Sequence, residues 1–307
     1  MEVLILTNSF DGTSDIISKI LKEKKIPFIR WNIDLWENYE ISFNKDFFEI
    51  RDSVNNKVSS KNKLKVLWRK PFIDYLDFKK NLKLSKDDKS YARNEIKNIL
   101  TSILAITRTN SKLNFIDPLD EYKTPKLYQL KLAKKYFKIP NYEFSILNSK
   151  RMIKNSIAKP LGNSEVGKKI LYTTRVDQKK VFRPYPWFFQ QAIDRGTDVT
   201  CVYICGNIYF YECDFKRNKK SIDWRKEINT KNQSKWHKLE HKKLKYLKNQ
   251  TKKFMQNLKL NYGRLDFIKK KNNFYFLECN PNGQFGWLDD IKKFTLHKKF
   301  VDSFLKF

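Results

Sequence analysis

The stretch Tyr262-GRLDFIKKKNNFYFLECNPN-Gly283 constrains the chain most. Two alternating apolar runs flank a basic, Asn-containing turn, a pattern that fits an antiparallel hairpin and little else. A turn centred on Lys271–Asn273 makes paired residue numbers sum to about 544, which sets Asp266 directly opposite Glu278. Like charges opposed across a ladder are destabilising. Asn280 follows on the same face as Glu278, because side chains alternate along a strand. Two carboxylates and an amide converging on one spot suit a hard divalent cation that shares its remaining coordination with phosphate and water. Two solvated acids on an exposed face are the alternative, but Phe276 and Leu277 argue that this strand is mostly buried.

Elsewhere the pattern is that of a mixed α/β protein (α+β elements included). Met1-EVLILT reads as a buried strand with no basic segment before it, so no signal peptide is apparent. A helix from about Ser14 to Lys24 and a strand at Pro27-FIRWN follow, without the GxGxxG of a dinucleotide site. Strand-like stretches at 40–50 and 64–69 precede a long helix ending near Thr109. Residues 1–118 form an N-terminal α/β domain on this reading. Pro125-KLYQLKLAKKYF is an amphipathic helix with proline at its start. Strands at Ile139-PNYEFSI, Ile157-AKPL, Ile170-LYTTRV and Trp187-FFQQAI lead to a hairpin turning at Cys205-Gly206. A helix over 234–258 then carries a solvated lysine face, with His237 and His241 on it and no third metal ligand. The divisions expected are 119–188 for a central domain and 189–307 for a C-terminal one.

Several residues have chemistry to offer. Lys159 ends an otherwise apolar strand before a loop of small residues, where it either reaches phosphate oxygens or simply extends into solvent. Gln190, Gln191, Ala192 and Ile193 end a strand whose backbone can meet an adenine edge, with Asp194 placed for ribose hydroxyls. Arg225, in Ser221-IDWR, could face a transferring phosphoryl group. Glycine is scarce, and only Gly12 of the eight lies in the first half. Glycine serves where backbone turns sharply or approaches a ligand closely, so the second half should hold the site. The formal charge of +31 favours an anionic partner or reflects a lysine-rich surface. With no nucleic-acid-binding motif, only charge speaks for nucleic acid, which is not an expected partner. No apolar run approaches the ~18 residues of a membrane helix. Cys201, Cys205, Cys213 and Cys279 lack zinc spacing and read as mostly buried thiols, which suits the cytoplasm.

Order and spacing together resemble the ATP-grasp ligases along the whole chain. More closely, they look like the peptide maturases of the grasp-with-spasm and microviridin type, which make graspetides. The elements concerned are Asn8-SFDGTSD, Leu67-WRKP, Lys159-Pro160-Leu161, Leu171-YTT, Ser221-IDWR, Tyr262-GRLDFI and, most specifically, Glu278-CNPNGQFGWL. The resemblance implies an N-terminal pre-ATP-grasp domain followed by central and C-terminal domains that hold ATP between them. It implies ATP-dependent joining of Asp or Glu side chains of an acidic precursor peptide to its own hydroxyls or amines, giving macrocyclic esters or amides. Leader and core of that peptide would be the partners, with no membrane involved and a homodimer left open. Lys126 and Lys159 would contact ATP phosphates, Gln190 to Ile193 the adenine and Asp194 the ribose. Asp266, Glu278 and Asn280 would hold Mg2+, while Arg225 and Arg264 join Lys159 as catalytic cations. Thr200 departs from the family pattern, which has arginine there; loss of such a donor costs about 2–4 kcal/mol, unless Arg264 or Arg175 replaces it. Two alternatives stay open: a ligase adding a free amino acid to a peptide or small acid, and a binding protein without turnover.

Overall fold

The computed structural model describes residues 1–76, 84–108, 114–146, 155–162, 165–166, 169–170, 173–176, 186–216, 236–290 and 292–307. In chain order the first elements are β1 (Glu2–Thr7), α1 (Gly12–Glu23), β2 (Phe28–Asn32), β3 (Tyr39–Phe43), β4 (Phe48–Asp52), β5 (Lys57–Ser59), β6 (Leu64–Trp68) and α2 (Lys86–Arg108). Next come α3 (Asp120–Lys123), α4 (Lys126–Ala133), β7 (Tyr142–Ile146), β8 (Ser156–Ala158), β9 (Glu165–Val166), β10 (Lys169–Ile170), β11 (Thr174–Arg175) and β12 (Pro186–Gln191). The remainder are β13 (Thr197–Ile204), β14 (Asn207–Lys216), β15 (Trp236–Lys238), α5 (Leu244–Leu258), β16 (Tyr262–Lys270), β17 (Asn273–Asn280) and α6 (Thr295–Lys306). None of the described helices is long and apolar enough to cross a membrane.

The chain divides into two compact units, one of Met1–Asp120 with Gln284–Phe307, the other of Glu121–Gly283. In the first, β1 lies between β2 and β6 in a parallel sheet. Val3 to Leu6 are wholly buried, as expected of a central parallel strand covered on both faces. Ile17, Ile20 and Leu21 form the buried stripe of α1, and Ile96, Leu100, Ile103 and Leu104 that of α2. The stretch expected as one strand over 40–50 is a hairpin of β3 and β4. The amides of Asp46 and Phe47 donate to the side chain of Asn44, which turns the chain there. Helix α6 belongs to this unit rather than to the preceding domain: Phe300 and Phe304 pack edge-on against Phe115, with centroids 5.1 and 5.5 Å away.

The second unit holds a four-stranded antiparallel sheet in the order β11-β8-β12-β7 and a five-stranded one in the order β15-β14-β13-β16-β17. One face of the larger sheet, with Val199, Cys201, Tyr203, Leu265, Phe267, Phe276 and Cys279, packs on α4 and α5. At its centre Phe137 meets Phe254, Phe267 and Phe276 at 5.5, 5.2 and 5.6 Å. The expected helix over 234–258 begins only at Leu244, and Trp236–Lys238 is a strand paired with β14. There His237 lies beside Asp214, 3.0 Å away, and not on a helix with His241. Buried Leu239 explains the difference, since its burial outweighs the local helical spacing. The turn at Cys205-Gly206 stands as expected, with φ of 45° and 88°.

The β16–β17 hairpin turns on two residues, Lys271 and Asn272, with Lys270 paired to Asn273. A regular ladder from that turn would set Asp266 against Leu277 and put Glu278 on the core face. Leu277 is instead the extra residue of a bulge, and beyond it Asp266 faces Glu278, Leu265 faces Cys279 and Arg264 faces Asn280. Both the opposition of acids and the burial of Phe276 and Cys279 on the other face depend on that one residue. Because Phe276 is fully buried, truncation to alanine should cost about 3–5 kcal/mol, read as a lowered urea midpoint.

Candidate functional site

Five strands bring one row of side chains across the larger sheet: Lys238, Tyr211, Thr200, Asp266 and Glu278 are paired in succession. On this face Asp266 accepts hydrogen bonds from the Thr200 hydroxyl (2.8 Å), the Arg264 guanidinium (2.9 Å) and the Asn280 amide (3.2 Å). Glu278 accepts from Lys126, whose Nζ lies 3.0 Å from Oε2 and also donates to the Pro160 carbonyl at 2.8 Å. Burial alone would raise the Glu278 carboxyl, but Lys126, then Lys159 and Arg264, more than offset it and hold the group well below the usual carboxylate range. For Arg264, burial favours the neutral form and Asp266 with Glu278 favours the charged one; the acids prevail, and its pKa is raised.

Among the described residues no group of three His, Cys, Asp or Glu side chains forms a metal cage. Two acids and an amide are present instead, which fits an ion that brings phosphate or water for most of its shell. As placed, Asn280 turns its amide nitrogen toward Asp266, and a half-turn of the amide would present the oxygen. The opposed acids already need positive charge, and Lys126 and Arg264 supply it. The residues fit.

Local structure explains the placement. Asn280-Pro281-Asn282-Gly283 folds back so tightly that a Cβ on Gly283 would lie 2.7 Å from Arg264 Cβ and 3.1 Å from that of Asn280. The Tyr262 hydroxyl donates to the Gly283 carbonyl at 2.5 Å. Sequence reasoning missed Gln129. From α4, one turn after Lys126, its amide donates to the Cys279 carbonyl (2.8 Å) and accepts from the Cys279 N–H (2.7 Å). It clamps the residue between Glu278 and Asn280. The only signal in the sequence was its position three residues after Lys126, on the same helix face.

The smaller sheet carries the other expected residues. Gln190 pairs with Ile157, and the Lys159 N–H donates to the Phe188 carbonyl at 3.3 Å, so these side chains share a face. The backbone N–H groups of Gln191 and Ala192 are taken by the carbonyls of Asn141 and Asn155. Gln190 is wholly buried, and neither of its amide atoms has a hydrogen-bond partner among the described residues. Asp194 is paired with Arg175 and receives the Asn155 amide at 3.3 Å; burial would raise its pKa, but these partners lower it. Arg175 therefore serves Asp194 and not the acid pair, whereas Arg264 joins it. Arg225 lies outside the described residues. An open pocket of about 390 Å³ between the β13–β14 turn and α5, lined by Tyr209, Lys248 and Lys252, includes none of the expected residues.

Two predictions follow from these contacts. Because the Glu278 pKa is lowered on folding, its contribution to stability is complete above the unfolded value of about 4.3 and is lost as pH falls through the folded value. Lys126→Met should flatten the acid limb of a stability-versus-pH curve measured by denaturation. Gly283→Ala should displace Arg264 and cost about 1–3 kcal/mol through overpacking, visible in the same measurement at neutral pH.

Neither a family model nor a curated protein matches the sequence. Solved structures do match. A RiPP-associated ATP-grasp ligase of Chryseobacterium gregarium, in complex with ADP and a leader and core peptide, is 20% identical with a TM-score of 0.83, over 99% of this chain and 96% of that one. The macrocyclase MdnC of Microcystis aeruginosa, bound with precursor peptide MdnA, is 19% identical with a TM-score of 0.80 over the whole of both chains. A D-alanine–D-alanine ligase of Bacillus anthracis, complexed with ATP, is 14% identical with a TM-score of 0.53 over 100% of this chain and 96% of that one. With TM-scores of 0.83 and 0.80 over nearly the whole of each chain, the fold is that of the ATP-grasp ligases.

Proposed function

We propose that the protein is an ATP-dependent ligase that joins carboxylate side chains of an acidic ribosomal precursor peptide to hydroxyls or amines of the same peptide. One observation carries this reading: Asp266 and Glu278 face each other beside Asn280, with Lys126 and Arg264 on the acids, in a chain whose fold is that of ligases solved with precursor peptides. Asp266, Glu278 and Asn280 would hold Mg2+, and Lys126 and Lys159 would face the phosphates. When bound, ATP would supply the phosphoryl group that activates the carboxylate, and magnesium would offset the phosphate charge. The chain's own task is positioning and charge compensation, with no covalent enzyme step.

Lys126 and Lys159 contribute positive charge on the Glu278 side, and Arg264 contributes it on the Asp266 side. Arg264 faces Asn280 on β17, two pairs along and on the same face as Asp266, which itself faces Thr200. It therefore brings a guanidinium to the face where Thr200 offers a hydroxyl, which favours a working ligase over a binding protein. Asp194 is the candidate for the ribose hydroxyls. The net charge of +31 suits an acidic peptide, and four free cysteines suit the reducing cytoplasm.

With Mg-ATP and a short acidic peptide encoded beside the gene, the enzyme should release ADP and phosphate while the peptide loses one water per bond, read by mass spectrometry. Chelation of magnesium should abolish both. Addition of a free amino acid would instead raise the product mass. Glu278→Gln and Asp266→Asn should each lower turnover by about 10²-fold or more. Absence of Mg-ATP binding, together with absence of ADP release with every such peptide, would sink the reading.

A further inference from the structure

We infer that Lys126 and Arg264 occupy the cation site as exchangeable counter-ions, so that the metal enters only together with nucleotide. This rests on the ligand set proposed above. Each acid already has its own cation: Lys126 on Glu278 at 3.0 Å, Arg264 on Asp266 at 2.9 Å. The remaining oxygen of Asp266 is bonded by Thr200. Four side chains thus form two ion pairs side by side, the acids and Arg264 on adjacent strands and Lys126 on α4, with Lys159 adding a further positive charge near Glu278.

The balance of charge sets the order of binding. Two carboxylates are matched by Lys126 and Arg264, and the Lys159 charge also acts on Glu278. A bare dication entering here has to displace both cations from their carboxylates and offers them no anion in exchange. The magnesium complex of a nucleoside triphosphate is anionic overall. It offers the acids a metal and the displaced cations a set of phosphate oxygens, so all the charges are paired again. Both pairs retain some solvent contact: Glu278 and Asp266 are each 25% exposed, Arg264 18% and Lys126 13%. Exchange therefore does not require the core to open. Lys126 is also tied to the Pro160 carbonyl, so its release loosens the segment after β8 at the step that loads the site.

The reciprocity of linked binding supplies the test. With Mn2+ as probe and no nucleotide, the full-length wild-type chain should bind weakly, read by electron paramagnetic resonance of the free ion. Lys126→Met with Arg264→Met should bind Mn2+ at least about tenfold more tightly, because the competing cations are gone. Mn2+ should also raise the thermal midpoint of that variant and leave the wild type unmoved. A non-hydrolysable ATP analogue should tighten Mn2+ binding to the wild type by at least about tenfold and have a much smaller effect on the variant. If the double variant is too unstable to purify, Lys126→Gln alone should show the same direction. Equal Mn2+ affinity in wild type and variants, or a tight wild-type site without nucleotide, overturns the inference. Failure of the wild type to bind the analogue at all counts against the proposed function instead, while the metal comparison still decides the order of loading.

Discussion

Two carboxylates opposed across a β-ladder are the constraint on which the site depends. Asp266 and Glu278 repel one another across the pair unless positive charge stands beside them. The protein meets this with Lys126 from a helix and Arg264 from the strand itself. Remove the cations and the acids repel; remove the acids and two partly buried cations lose their partners. The surrounding structure keeps this balance in place: the Leu277 bulge sets the register, Gly283 lets the exit turn close on Arg264, and Gln129 clamps Cys279 between the working residues.

What could be read from sequence was whatever depends on near neighbours. Alternation located β16 and β17, and the summed residue numbers put Asp266 opposite Glu278, although they assumed a longer turn. The structure reaches the same pairing with a two-residue turn and a bulge, which cancel. A single extra residue leaves no pattern of its own, so it was invisible. Gln129 was missed because its partner is 150 residues away. The Trp236–Lys238 strand was read as helix because its pairing with β14 is long-range, while the lysine spacing of the following helix is local. Arg264 and Arg175 looked interchangeable in sequence; the fold sends Arg175 to Asp194 and Arg264 to the acids.

The buried amide of Gln190 shows the same logic in a different place. Both of its polar atoms lack partners among the described residues in a fully buried position, and a buried group left unsatisfied costs about 1–3 kcal/mol. It sits on the face shared with Ile157 and the Lys159 strand end, where the backbone donors of Gln191 and Ala192 are already used. Stability has been given up on the same sheet face that carries the expected nucleotide residues, a pattern common where a fold is shaped by what it binds.

Strand β17 closes one side of the larger sheet, yet it is not an open edge. The Phe276 N–H donates to the Lys138 carbonyl, and Gln129 satisfies both backbone groups of Cys279. The hydrogen-bonding positions that a further strand would use are filled by a loop and a side chain. An extended chain is therefore refused along that border. A group that meets the acids does so on the face of the sheet that carries their side chains, and not along the β17 border.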